Sequence, residues 1–362
     1  MPPMAKARDV IAAVERLAPP SLAEGWDNCG LQVGDPAAGI RRILVALTPL
    51  PEVFDEAEET GADFLFFHHP LIFTPLQSVD PSSYPGDLVS RAVRNGLTVY
   101  AAHTSYDAAP DGVSVALAEA IGLRGPLEVV SPRGSLRKLV VFVPVEDAEA
   151  VAEALAGAGA GRIGDYTRCT FRTPGIGTFL PGEGSDPYLG ERGRLERVDE
   201  VRLETVVPAH RTRAAVDAAT TAHPYEEVAL DVYPVEGSPE GCGYGRIGTL
   251  PEPLTPEELG TQVSHSLGFP ARLATEGDRG SIRRVAVLGG SGGSFIPEVA
   301  ASGAEAYATG DLDYHDTLLA ESLGLAAIDA GHAATEMPSL RPLAERLAKS
   351  MDVPVAVSRV RR

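Results

Sequence analysis

Cysteine is scarce: the chain of 362 residues has three, Cys29, Cys169 and Cys242. They are far apart and odd in number, which argues against a disulfide framework and against a cysteine-based zinc knuckle. Positive charge is also in short supply. Lys plus Arg number 31 against 50 Asp plus Glu, a formal net charge of −19. General attraction to nucleic acid or to anionic membranes is therefore not expected. No apolar run reaches the roughly 18 residues a spanning helix needs. The start, Met1-Pro2-Pro3-Met4-Ala5-Lys6, leads into an amphipathic segment and lacks the apolar core of a secretory leader. These absences predict a cytoplasmic, reduced protein with no membrane partner. What remains is an ordinary globular composition, 44% hydrophobic and 22% charged. At roughly 150 residues per domain the length predicts two or three domains.

The first third alternates strand-like and helix-like segments. Ile43 to Leu47, Phe64 to Phe67 and Leu97 to Ala102 are short apolar runs suited to strands buried on both faces. Between them, Pro51 to Thr60 and Asp87 to Arg94 read as helices, the first opened by Pro and closed by Gly61. The last third repeats the pattern, with strands at 284–288, 304–308, 325–330 and 353–357 and helices at 295–301, 314–322 and 335–349. The middle reads differently. Strands at 136–145, 166–179, 200–207 and 226–235, with helices at 147–158 and 211–222, give the order βαββαβ of a ferredoxin-like split βαβ unit. Gly- and Pro-rich stretches at 131–134 and 237–245 flank it as linkers. The fold class is thus α/β. A discontinuous α/β domain with mostly parallel sheets, residues 1–133 and 238–362, is interrupted by a ferredoxin-like insert, residues 134–237.

Ligands of parallel α/β sheets bind beyond the carboxyl ends of the strands. The residues just past those ends are His68 and His69, His103 with Asp107, Gly310-Asp311, and His332 with Glu336. Imidazole and carboxylate are what first-row divalent metals take when thiolate is absent. One such histidine is an ordinary structural residue. Several from both halves of a discontinuous domain, at one predicted sheet edge, point to a metal site. His332 and Glu336 are four apart and share a face if a helix opens at Gly331. His103 and Asp107 have the same spacing in an expected loop, where it carries no geometric meaning. The run Gly289-Gly290-Ser291-Gly292-Gly293-Ser294 either cradles phosphate or makes a tight turn. It lacks a Walker lysine, and Phe295 breaks the dinucleotide spacing. His223-Pro224-Tyr225-Glu226-Glu227 ranks as a structural turn or interface first and a site second.

Taken together, the motifs resemble the family known as GTP cyclohydrolase I type 2 homologues, or Nif-three-like proteins. The matching stretches are Trp26-Asp27-Asn28-Cys29-Gly30-Leu31-Gln32-Val33-Gly34, Phe67-His68-His69-Pro70-Leu71-Ile72-Phe73 and His103-Thr104-Ser105-Tyr106-Asp107. Thr309-Gly310-Asp311-Leu312-Asp313-Tyr314-His315-Asp316 and Gly331-His332-Ala333-Ala334-Thr335-Glu336 complete the set, in the family's order. The insert is similar to the PII- or CutA-like domain of longer members. The resemblance implies two divalent metal ions per chain (Zn, Fe or Mn), held by His68, His69, Asp107, His332 and Glu336, with Glu336 between the ions. It places His103 as a ligand or as a group beside the ligands, and it implies a homo-oligomer, a hexamer being favoured. Three positions depart from the family pattern: Thr48 for the usual Asp, Ser105 for Asn, and Ser114-Val115 for Asn-Asp. They leave the ligand positions intact and bear on substrate handling.

The expected activity is metal-dependent hydrolysis of a small, nucleotide-like or phosphate-containing molecule, with His103 or His315 shuttling the proton. The alternative is a non-catalytic metal-binding protein whose insert serves assembly or sensing. A nucleotide-dependent oxidoreductase is a weaker third reading, because the glycine spacing is broken.

Overall fold

The computed structural model describes residues 5–275 and 280–361; Met1–Met4, the start of the lead-in segment, lie outside them. The chain forms two compact units, Met1–Arg133 with Gly241–Arg362, and Gly134–Glu240. Among the described residues no helix is long and apolar enough to cross a membrane.

Among the described residues the first unit holds two sheets. The five-stranded sheet runs in the order Gly30–Val33, Thr98–Ala101, Phe64–Phe67, Ile43–Ala46, Val355–Val357. All its pairings are parallel except the edge strand Gly30–Val33. The three short apolar runs are its centre, and every residue in them is buried. Alternate side chains serve two cores, as the strand period of two requires. Ile43, Val45, Phe64 and Phe66 face one, and Leu44, Ala46, Leu65 and Phe67 the other. Helix Pro51–Thr60 starts on Pro and stops at Gly61 in the left-handed conformation.

The six-stranded sheet is ordered Arg272–Leu273, Ala326–Asp329, Ala306–Gly310, Ile282–Ser291, Gly243–Leu254, Arg124–Pro132. Its pairings among Ile282–Ser291, Ala306–Gly310 and Ala326–Asp329 are parallel and the outer ones antiparallel. Two of these strands, Arg124–Pro132 and Gly243–Leu254, overlap stretches read from sequence as linkers. Their Gly, Pro and charged residues suit an isolated strand poorly. Pairing with each other, and of Gly243–Leu254 with Ile282–Ser291, overrides that preference, and Arg284 reaches Glu128 across the intervening strand at 2.8 Å. The helix expected over 335–349 is divided into His332–Glu336, a 3₁₀ turn Met337–Ser339 and Leu340–Ser350. Pro338 lacks the N–H that a continuous helix would need.

In the second unit four strands pair in the order Phe171–Phe179, Glu196–Pro208, Leu136–Pro144, Leu230–Val235, all antiparallel. Helices Ala148–Gly157 and Thr212–Ala222 follow the first and third strands. Leu139, Val141, Val143, Val201 and Leu203 pack against Val151, Leu155, Ala215 and Ala219. In chain numbering the sheet order is second, third, first, fourth, the arrangement of a split βαβ unit.

Candidate metal centre

The site histidines sit just past the ends of strands, and Asp107 and Glu336 close the short helices that follow. His68 and His69 follow Phe64–Phe67, His103 follows Thr98–Ala101, and His332 opens a five-residue helix beyond Ala326–Asp329. The sequence pointed to one sheet edge, but the carboxyl ends of two sheets contribute. His103 precedes a one-turn helix, Thr104–Asp107, so the four-residue spacing to Asp107 is a helical one after all.

The histidines are held alike. The Nδ1 of His68 donates to the Ala102 carbonyl at 3.0 Å. That of His103 donates to the Asp27 carboxylate at 3.0 Å, and that of His332 to Asp311 at 2.7 Å. A carbonyl or carboxylate oxygen only accepts, so in these three neutral rings Nε2 keeps its lone pair. His69 Nδ1 meets the hydroxyl of Thr48 at 3.0 Å. A hydroxyl can donate or accept, so here the orientation is set but the tautomer is not.

The Nε2 atoms then converge. Those of His68 and His332 lie 3.4 and 3.1 Å from one oxygen of Glu336, and that of His69 lies 3.0 Å from the other. Asp107 approaches His68 Nε2 at 3.6 Å. Two sets of donor atoms, His68, His69 and His103, and His69, His332 and Glu336, each fall within 4.8 Å of one another, and they can hold a metal ion. Four of the buried atoms, His68 Nε2, His69 Nε2, Asp107 Oδ1 and Glu336 Oε2, find no hydrogen-bond partner among the described residues. A buried polar atom without a partner costs about 1–3 kcal/mol. Here lone pairs face lone pairs, and a shared cation is what such a set fits. Nitrogen and oxygen donors without thiolate suit Zn, Fe or Mn.

Without such a cation, protons take its place. Burial pushes His68 down, but the Asp107 and Glu336 carboxylates outweigh it and raise it to about 9. Glu336, through its hydrogen bond, raises His332 to about 9, with Asp311 adding to it. Burial pushes His69 down and raises Asp107 to about 6. Glu336 is held well below its usual range by His68, His332 and His69 in spite of its burial.

Local backbone makes this approach possible. Gly290, at φ 76°, lies so close that a Cβ would come within 2.5 Å of Glu336 Oε1. A Cβ on Gly310 would come within 2.6 Å of the His332 nitrogen. The Gly290 amide donates to Thr335 Oγ1 and that of Gly292 to the Gly310 carbonyl. The glycine-rich run is therefore spent on close packing around Glu336, and two of its amides are taken. Asp311 adopts the left-handed conformation at φ 56°, which Asp tolerates better than most residues, and so brings its carboxylate to His332.

His315 is exposed on helix Tyr314–Ser322, its ring against that of Tyr314 at 5.6 Å. Among the described residues it does not join the converging groups. His103 does, so the structure brings six of the seven sequence-selected residues together. Reading the sequence picked out Asp311 but missed the other holders of the rings. Asp27, buried, accepts from His103, Thr104 and Cys29, which hold it well below the usual carboxylate range despite its burial. Arg246, also missed, is 2% exposed and donates to the carbonyls of Ala109, Pro110, Gly241, Gly243 and Gly245. It pins the segment that follows Asp107, and burial lowers it to about 10.

The chain has relatives in sequence and in fold. The family model described as Duf34/NIF3 (NGG1p interacting factor 3) matches residues 5–362. A protein of Halalkalibacterium halodurans named GTP cyclohydrolase 1 type 2 homolog is 42% identical over 331 residues, 91% of this chain and 89% of its own length. One of the same name from Bacillus subtilis is 41% identical over 333 residues, with the same coverage. A crystal structure of a Bacillus cereus protein related to NIF3 superposes with a TM-score of 0.86 at 41% identity, over 99% of this chain and 98% of that one. Matched along nearly its whole length, the chain belongs to the Duf34/NIF3 family.

Proposed function

We propose that the protein is a metal-dependent hydrolase with a dinuclear centre held by His68, His69, Asp107, His332 and Glu336. The convergence of unpaired, buried lone-pair atoms on one space supports this reading most strongly. Glu336 is its middle member: one oxygen faces His68 and His332, the other His69. Bound divalent ions supply Lewis-acid polarisation and acidify water near neutral pH.

The remaining work falls to the chain. Ala102, Asp311 and Asp27 fix three imidazoles so that Nε2 points inward. His103, anchored on Asp27 and beside His68 and His69, is the group that accepts and returns a proton at Nε2. His315, exposed and apart, is set aside for that role. The substrate class is a small molecule with an electrophilic carbon or phosphorus, nucleotide-like in outline. Elemental analysis of protein purified without added metal or chelator tests the reading. About two ions per chain are expected, falling in His69→Ala. An empty protein, even after soaking with Zn, Mn or Fe, overturns it.

A further inference from the structure

Trp26 and Phe73 are large apolar side chains left 63% and 50% exposed. They do not dangle from loose loops. Asn28 Nδ2 donates to the Ile72 carbonyl, the Ile72 amide donates to Gln32 Oε1 at 3.1 Å, and Gln32 Nε2 donates to the Asn28 carbonyl at 2.8 Å. The segment bearing Trp26 is thus stapled to the one bearing Phe73. Exposed apolar rings held in place by a polar network are informative where a solitary exposed ring is not.

The rings are also arranged. Trp26 and Phe73 lie 6.1 Å apart between centroids at 66°. Each lies 6.3 Å from the His103 ring, at 75° and 82°. The three planes are inclined to one another by 66–82°, so each ring faces a different direction. The His103 ring stands 5.3 Å from His68 and 5.7 Å from His69, so this corner adjoins the candidate metal centre. A flat ring laid on one of the three presents its edge to the other two, and aromatic contacts favour stacked and edge-to-face arrangements.

We propose that Trp26, Phe73 and His103 form a binding corner for a planar heteroaromatic ring, which presents the ring's substituent to the His68–His69 side. As a substrate subsite it rests on the hydrolase reading above; as a ring-binding site it is tested apart from it. Trp26 is the chain's single tryptophan, so its emission reports on the corner directly. The experiment titrates the full chain with guanosine, using ribose as the ringless control. Metal content is measured on the same samples, with and without chelator.

Saturable quenching by guanosine but not by ribose is expected, with affinity falling roughly tenfold in Phe73→Ala, the order of a lost base-stacking contact. Phe73→Leu, which keeps bulk without a ring, should show the same loss and guards against a misfolded alanine variant. No saturable response, an equal response to ribose, or unchanged affinity in both variants overturns the corner. So does a blue shift of Trp26 emission on concentrating the protein alone, which would assign these rings to contact between copies. Full metal content without guanosine quenching sinks the corner and spares the metal centre. Quenching by a protein that never binds metal does the reverse.

Discussion

Both units of the chain carry a histidine-containing motif that looks functional by composition, yet the two use the ring differently. In the Gly134–Glu240 unit, His223 Nε2 donates to the Phe142 carbonyl at 2.9 Å, and Nδ1 accepts from the Tyr225 amide at 3.1 Å. Tyr225 in turn donates to Glu200 at 3.0 Å. Both nitrogens are consumed by the fold, and the motif closes on itself as a turn. In the other unit, His68, His69, His103 and His332 each spend Nδ1 on the fold and aim Nε2 at a common space. What separates a structural histidine from a candidate ligand is therefore the fate of the second nitrogen.

The sharpest way to break this contrast is at Glu336, where three of the imidazoles meet. Glu336→Ala should remove at least one metal ion per chain, read by elemental analysis of the purified variant. Retention of both ions would defeat its place between them. A smaller effect is expected one bond further out. Asp311→Asn keeps the shape, but an amide rotamer can present N–H instead of an acceptor to His332 Nδ1. Loss of such a supporting partner typically lowers metal affinity about 10–100-fold. Competition with a chelator of known affinity measures it, and an unchanged constant would mean that Asp311 does not orient the ring.

How much of this was legible beforehand follows from what each residue depends on. His68, His69, His103 and His332 could be singled out because they stand at the ends of strands whose burial is written in unbroken apolar runs. His315 lies in an equally suggestive stretch, Asp313-Tyr314-His315-Asp316. No local rule says which way a helix will turn it, and it faces outward. The holders were harder still. The Ala102 carbonyl has no side-chain signature. Asp27 is 76 residues from His103, so only the folded chain joins them. Thr48 could be seen to depart from a family pattern, but not that its hydroxyl would meet His69. The strands Arg124–Pro132 and Gly243–Leu254 were hidden for the opposite reason. Their glycines signal turns, whereas Gly248 is needed because Leu123 and Leu127 pack where a Cβ would be.

The contrast also makes a prediction about pH in the metal-free protein. His68 and His332 are raised from 6.5 to about 9 by the carboxylates around them. A group raised on folding contributes stability that is complete below its unfolded value and lost as pH climbs through its folded one. Chelator-treated protein should therefore lose stability between pH 6.5 and 9, seen as a falling urea midpoint. Asp107 and Glu336 titrate below that window. Metal binds the neutral imidazoles, so the loaded protein should show a flatter profile over the same range. A midpoint that rises with pH in the stripped protein would contradict the charge arrangement described here.

His223 offers the mildest and most discriminating test. Replacing it with alanine leaves the Phe142 carbonyl and the Tyr225 amide without their partner, at a cost of about 1–3 kcal/mol. Unfolding midpoints of His223→Ala should fall accordingly, while metal content stays at the parent level. Tyr225→Phe, which removes only the bond to the Glu200 carboxylate, should cost a comparable amount, about 1.5–3 kcal/mol, again with metal content unchanged. If metal were lost along with stability in His223→Ala, the two units would not be separable in function. The second nitrogen would then be a poorer guide than the geometry suggests. If stability falls alone, the same residue type has been shown to build a turn in one unit and to face a common ligand space in the other.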